Sequence, residues 1–244
     1  MNWGRFDDFV GFPLASEPSG GATQQPCPTS DPLVFVFSTE EPALMSDVFA
    51  NLLKKLNAKA VIKVAKTAAE AGALLDQHPN PSGIFVADQG MANTKNKVIS
   101  QRVVKYAREG GTVVVGGVFS GFIPPPKLDK YFEEMWSLSW RFGSYHRTTL
   151  KLTDNASERK SSSLPKSYSQ KAVHLKGVSR ESAWYLPAED STIESRVFGP
   201  SPIENKSETP VAFEKAGNGW LGYTGDVNSE EGTTEVVLSM LKLL

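Results

Sequence analysis

Cysteine is nearly absent: Cys27 is the sole one in 244 residues. A single thiol excludes an intrachain disulfide and a thiolate metal cluster, and an intracellular, cytoplasmic location is the simple expectation. Histidine is scarce too, at three residues, so few general bases are on hand for any catalytic centre. No run of apolar residues is long enough to span a bilayer, and the start, MNWGRFDDFVGFPLASEPSGG, breaks its apolar positions with acidic ones, unlike a signal peptide. Neither sign of charge is in excess. With 26 Lys and Arg against 27 Asp and Glu and a net charge of -1, no pull toward nucleic acid or anionic membrane is expected. Cofactor motifs are missing as well: Gly116-Gly117 lacks the dinucleotide-binding spacing, and there is no Walker loop or His-Glu-x-x-His, so neither a cofactor nor a metal is expected.

What is present is a rhythm. Residues 1–31, rich in Pro, Ser, Gly and Gln, cannot bury enough apolar surface to offset ordering and are expected to form a flexible tail. From 32 to 244 the chain reads as a single α/β domain. Apolar runs (PLVFVFS, AVIKV, GIFVAD, TVVVGG) alternate with amphipathic stretches near Leu44–Leu56, TAAEAGALLDQ and Lys97–Glu109. Such alternation predicts a flavodoxin-like, mostly parallel sheet with helices on both faces. Ser38 or Thr39 is expected to cap the first helix, with Pro42 in its first turn. After Phe122, IPPP reads as a stop, followed by a short aromatic helix around Tyr131–Trp140 and a strand from Tyr145 to Leu152. DNASERKSSSLPKS reads as a surface loop. Strand candidates AVHLKGV, SAWYL, PVAFEKAG and GWLGYTGD then make the second half strand-rich, with a tight turn at Gly217-Asn218-Gly219 and a closing helix in TTEVVLSMLKLL.

TVVVGGVFSGF, residues 112–122, places a Gly-x-x-x-Gly turn at the end of a buried strand, the pattern of a nucleophile elbow. The order of elements and this turn together resemble the class I glutamine amidotransferase-like superfamily, in particular its trehalose-utilisation (ThuA-like) branch, over roughly 31–244. The resemblance implies a catalytic Cys at the centre of Gly-x-Cys-x-Gly; GVFSG puts Phe119 there. It also implies a late strand delivering His and Glu, whereas GWLGYTGDVNSEE offers Gly225, Asp226 and Asn228 and no histidine. A benzyl group has no lone pair, so glutaminase activity is not expected.

In open α/β sheets ligands bind beyond the carboxyl ends of the strands. Those ends supply Ser38, Thr39, Asp88, Gln89, Gly90, Phe119, Ser120 and Asp226 as crevice residues. Phe119 is expected either to pack under a helix or to form an apolar wall for a ligand, and Ser120 to donate a hydrogen bond or cap a helix. Asp88 and Asp226 could act as acid and base or hold a divalent cation; equally, each could cap the next helix or turn. His146, between Arg141 and Arg147, is the candidate base. Three readings follow: a catalytically degenerate pseudoenzyme binding a small polar ligand or a protein partner at the former active-site crevice; an enzyme of altered, non-cysteine mechanism acting on a small polar or carbohydrate substrate; or a structural interaction module. A homo-oligomer is compatible with each.

Overall fold

A computed structural model of the chain describes residues 31–157, 164–195 and 197–244. The expected tail, apart from Asp31, and the middle of the DNASERKSSSLPKS loop lie outside the described residues. The first half alternates as the sequence implies: β1 (Leu33–Phe37), α1 (Pro42–Val48), α2 (Ala50–Asn57), β2 (Val61–Ala65), α3 (Ala68–Gln77), β3 (Gly83–Val86), two 3-10 turns over Gln89–Ala92 and Thr94–Asn96, α4 (Lys97–Arg108) and β4 (Thr112–Val115). Next come α5 (Phe119–Phe122), α6 (Pro125–Trp136), β5 (Arg141–Leu152), α7 (Asp154–Ser157), β6 (Ser167–Lys176), β7 (Ala183–Pro187), β8 (Thr192–Ile193), β9 (Ser201–Pro202), β10 (Val211–Ala216), β11 (Gly219–Thr224) and α8 (Glu231–Met240).

Among the described residues one sheet of nine strands runs β2-β1-β3-β4-β11-β10-β7-β5-β6. Pairings from β2 to β11 are parallel and those from β11 to β6 antiparallel, so the strand-rich second half extends the same sheet. β1, β3 and β4 are apolar at nearly every position because both their faces are covered. One face packs on Ala71 and Leu75 of α3, Val103 and Ala107 of α4 and Leu128 and Phe132 of α6. The other receives Met45 of α1, Leu52 and Leu56 of α2 and Val236, Val237 and Met240 of α8. This is an α/β fold.

Local physics corrects several sequence expectations. The helix expected over Leu44–Leu56 breaks at Phe49, whose φ of -106° and ψ of 26° leave the helical region while its ring enters the core. IPPP does not stop a helix but opens one: Pro124 precedes α6 and its successors occupy the first turn, where a missing N–H costs nothing. α6 therefore begins earlier than the expected aromatic helix. Neither Ser38 nor Thr39 caps α1; Glu41 stands at its N-cap without a side-chain bond.

The last strand in the sheet order also returns to its middle. β6 turns its outer edge to the carboxyl end of β11: the Val173 N–H donates to the Gly225 carbonyl at 2.9 Å, the Val227 N–H to Lys171 at 3.0 Å, and the Tyr223 hydroxyl to Val173 at 3.1 Å. The approach is so close that a Cβ on Gly225 would lie 1.9 Å from the Val173 carbonyl oxygen. Gly225→Ala is thus expected to lower stability by about 1–3 kcal/mol, the usual cost of overpacking. A urea-unfolding midpoint equal to wild type would show that β6 does not clamp the strand end.

Candidate functional site

Strand order reverses between β1 and β3, which makes the gap beyond their carboxyl ends the place where such sheets bind ligands. Asp88 closes that gap. It follows β3, is fully buried, and draws donors from the far side: its Oδ2 accepts from the Ser38 hydroxyl at 2.9 Å and from the N–H groups of Glu40 and Glu41 at 2.8 and 2.9 Å. Its Oδ1 accepts from the Gly90 N–H at 2.9 Å, capping the first 3-10 turn. Four donors on one carboxylate leave little lone-pair capacity for anything else. Ser38, Asp88 and Gly90 are therefore brought together, with Thr39 beside Gly90; the Thr39 hydroxyl and Gln89 Oε1 are buried with no hydrogen-bond partner among the described residues.

The elbow forms, but its tip is turned inward. The left-handed residue is Gly117, at φ 63°, where a Cβ would meet the Ala87 carbonyl at 2.7 Å. Phe119 is the first residue of α5 and is 0 % exposed, its ring 5.4 Å from that of Tyr131 on α6. It packs under the helix; a fully buried ring forms no crevice wall. The Ser120 hydroxyl donates to the Thr224 carbonyl at 3.2 Å, tying the elbow to β11.

Asp226 is engaged separately. Its two oxygens accept from the N–H groups of Asn228 and Glu230, each at 2.7 Å, holding the turn before α8. Burial pushes its carboxyl above the usual range, and these N–H groups pull the other way. No hydrogen bond joins it to Asp88 among the described residues.

His146 is drawn into a cluster that the sequence did not single out. Pairing of His146 with Ala172 puts His146 and His174 on one face of the β5–β6 hairpin, with ring centroids 4.2 Å apart. Burial lowers the His146 pKa while the Glu208 carboxylate raises it. His174 is fully buried, and burial together with its neighbour pushes it down to about 3. His146 Nε2, both ring nitrogens of His174, the Ser144 hydroxyl and Gln170 Nε2 lack hydrogen-bond partners among the described residues. Period-two alternation fixes which face of its own strand His174 occupies, but the cross-strand register that brings it to His146 is not encoded locally. Among the described residues no group of three or more His, Cys, Asp or Glu is arranged to hold a metal ion, and no helix is long and apolar enough to cross a membrane.

No protein-family model matches the chain, and no curated protein sequence matches it. Among solved structures, a putative ThuA-like protein from Bacteroides uniformis ATCC 8492 superposes with a TM-score of 0.53 at 11% identity, covering 89% of this chain and 93% of that one. The chain has a ThuA-like fold. A β-galactosidase from Bacillus circulans sp. alkalophilus gives a TM-score of 0.48 at 12% identity; the match covers 87% of this chain but only 31% of the larger protein. A cytoplasmic protein from Salmonella typhimurium LT2 gives 0.44 at 12% identity, over 82% of this chain and 89% of the other. At those scores neither adds to the fold assignment.

Proposed function

We propose that this chain is a catalytically degenerate relative of the class I glutamine amidotransferases, in their ThuA-like branch, that works as a protein-binding module. The observation carrying this reading is the state of the switch point: Asp88 binds both sides of the gap together while Phe119 occupies the nucleophile position inside the core. A site for a small polar ligand needs convergent polar groups open to solvent. Here Ser38, Asp88, Ser120 and Asp226 are all buried and hydrogen-bonded within the fold. The polar strand ends thus act as structural ties, and recognition falls to the outer surface.

Two measurements test this. Purified protein is expected to release no ammonia from glutamine, and its melting temperature should not move with nucleotides, sugars or divalent cations. A ligand at 100 times its dissociation constant would add about 2.7 kcal/mol, well within reach of a thermal-shift assay. Turnover lost on Phe119→Ala, or a shift abolished by Asp88→Asn, would overturn the reading.

A further inference from the structure

Charge is unevenly spread over the helices that cover one face of the sheet. Lys97, Gln101, Val104, Lys105 and Arg108 recur along α4 at intervals of one, three and four residues, as do Lys127, Lys130, Tyr131, Glu134 and Met135 along α6. Residues at such spacing share one side of a helix, and these two stripes line a common groove. The groove consists of two hollows, of about 150 and 560 Å³, that share Lys97, Glu134 and Met135.

Five cations stand along it against two carboxylates, in a chain whose net charge is -1. Both carboxylates are already engaged, Glu134 with Lys130 at 3.5 Å and Glu109 with Lys105 at 3.7 Å. Lys97, Arg108 and Lys127 form no salt bridge among the described residues, and the Lys127 ammonium donates to the neutral amide oxygen of Asn93. The unmatched charge is therefore positive, and it belongs to side chains of the groove itself. Between these cations the lining is apolar: Met91, Val104 and Tyr131 are buried, and Met135 is half-buried where the hollows meet. Thioethers adapt readily to the shape of an apolar partner. Length favours a polypeptide over a small anion, because Lys97 to Arg108 is three helical turns, about 17 Å at 1.5 Å per residue. An inorganic anion would fill only one end.

We propose that the α4–α6 groove receives an acidic amphipathic helix of a partner protein, with the helix's apolar stripe on Met135 and Tyr131 and its flanking carboxylates against Lys97, Arg108 and Lys127. A helix laid in a groove gains affinity from the apolar stripe, while complementary charge selects the partner and sets its register. The inference deepens the reading of the chain as a protein-binding module and rests on it. Because its cations are open to solvent, the contact weakens as salt is added.

Fluorescence anisotropy tests it, the full chain being titrated into a labelled peptide of about 12 residues with Leu at i, i+3, i+4 and i+7 and Glu on both flanks. Two control peptides replace every Glu by Gln or every Leu by Ser. The acidic amphipathic peptide is expected to bind in the micromolar range, and each control about tenfold or more weakly. Lys97→Glu/Arg108→Glu is expected to cost the parent peptide about tenfold or more. Both side chains are exposed, so the urea midpoint should not move; if it does, Met135→Ser serves as the second groove variant. Wild type that binds nothing, or a groove variant that binds as well as wild type, would overturn the inference. So would equal binding of the Leu-to-Ser peptide or equal competition by oligo(dT), which would mark a general polyanion surface. Self-association in sedimentation equilibrium that the groove variant abolishes would give the groove to a second copy and overturn it too. None of these outcomes touches the non-catalytic reading, which falls only on turnover or polar-ligand binding.

Discussion

Lowering the pH from about 7 to about 4 is expected to destabilise the fold by about 3 kcal/mol through His174 alone, at 1.36 kcal/mol for each pKa unit. Above about 6.5 the imidazole is neutral in both states and no linkage exists. Between there and about 3 the unfolded chain binds a proton at position 174 that the folded chain refuses, so stability falls as acid is added. His146, whose pKa is also lowered by burial, adds in the same direction. Asp226 opposes them: its raised carboxyl takes up a proton in the folded state first, which favours folding in acid. Urea unfolding of wild type and His174→Leu at a series of pH values isolates the histidine contribution. Equal acid sensitivity in both proteins would refute the assignment.

Asp88→Ala is expected to cost about 3 kcal/mol or more, since it strands the Ser38 hydroxyl and three N–H groups that share its carboxylate. Loss of an ordinary exposed cap would cost only about 1 kcal/mol. The difference reports whether Asp88 ties β1 to β3 or merely caps a turn. Asp88→Asn offers a second measure, because an amide oxygen can replace part of the acceptor capacity while its NH2 group meets further donors. A loss under about 1 kcal/mol for the alanine variant, by the linear denaturant extrapolation, would remove the sealing role given to this residue.

The parallel half of the sheet was legible because its strands are buried on both faces and so carry an unbroken apolar signature that Leu33–Phe37 and Thr112–Val115 display. The antiparallel half was found as strands, yet their joining to the same sheet depends on the parallel pairing of β11 with β4, such as that of Leu221 with Val113, which no local pattern encodes. Site residues show the same limit. Asp88 stood out by its position at a strand end; that its oxygens reach across to Ser38, Glu40 and Glu41 follows from the strand order alone. Phe119 could be excluded as a nucleophile from its chemistry, while its inward orientation needed Tyr131, brought by α6. His174 stayed hidden because its partner lies 28 positions earlier, across a hairpin whose register a bulge between Phe142 and Tyr145 shifts.

The central place of β11 has a consequence for how the chain assembles. Residues 219–224 pair with β4 on one side and β10 on the other, so the sheet remains in two pieces until that segment arrives. During synthesis β1 to β4 can pair while later strands are still being made, and β4 then presents Val113, Val114 and Val115 at an open edge. Unpaired apolar strands of that kind recruit other chains. A nascent chain halted just before Gly219 should therefore aggregate far more readily than one halted after Thr224, and its safety on the ribosome rests on the interval between the two.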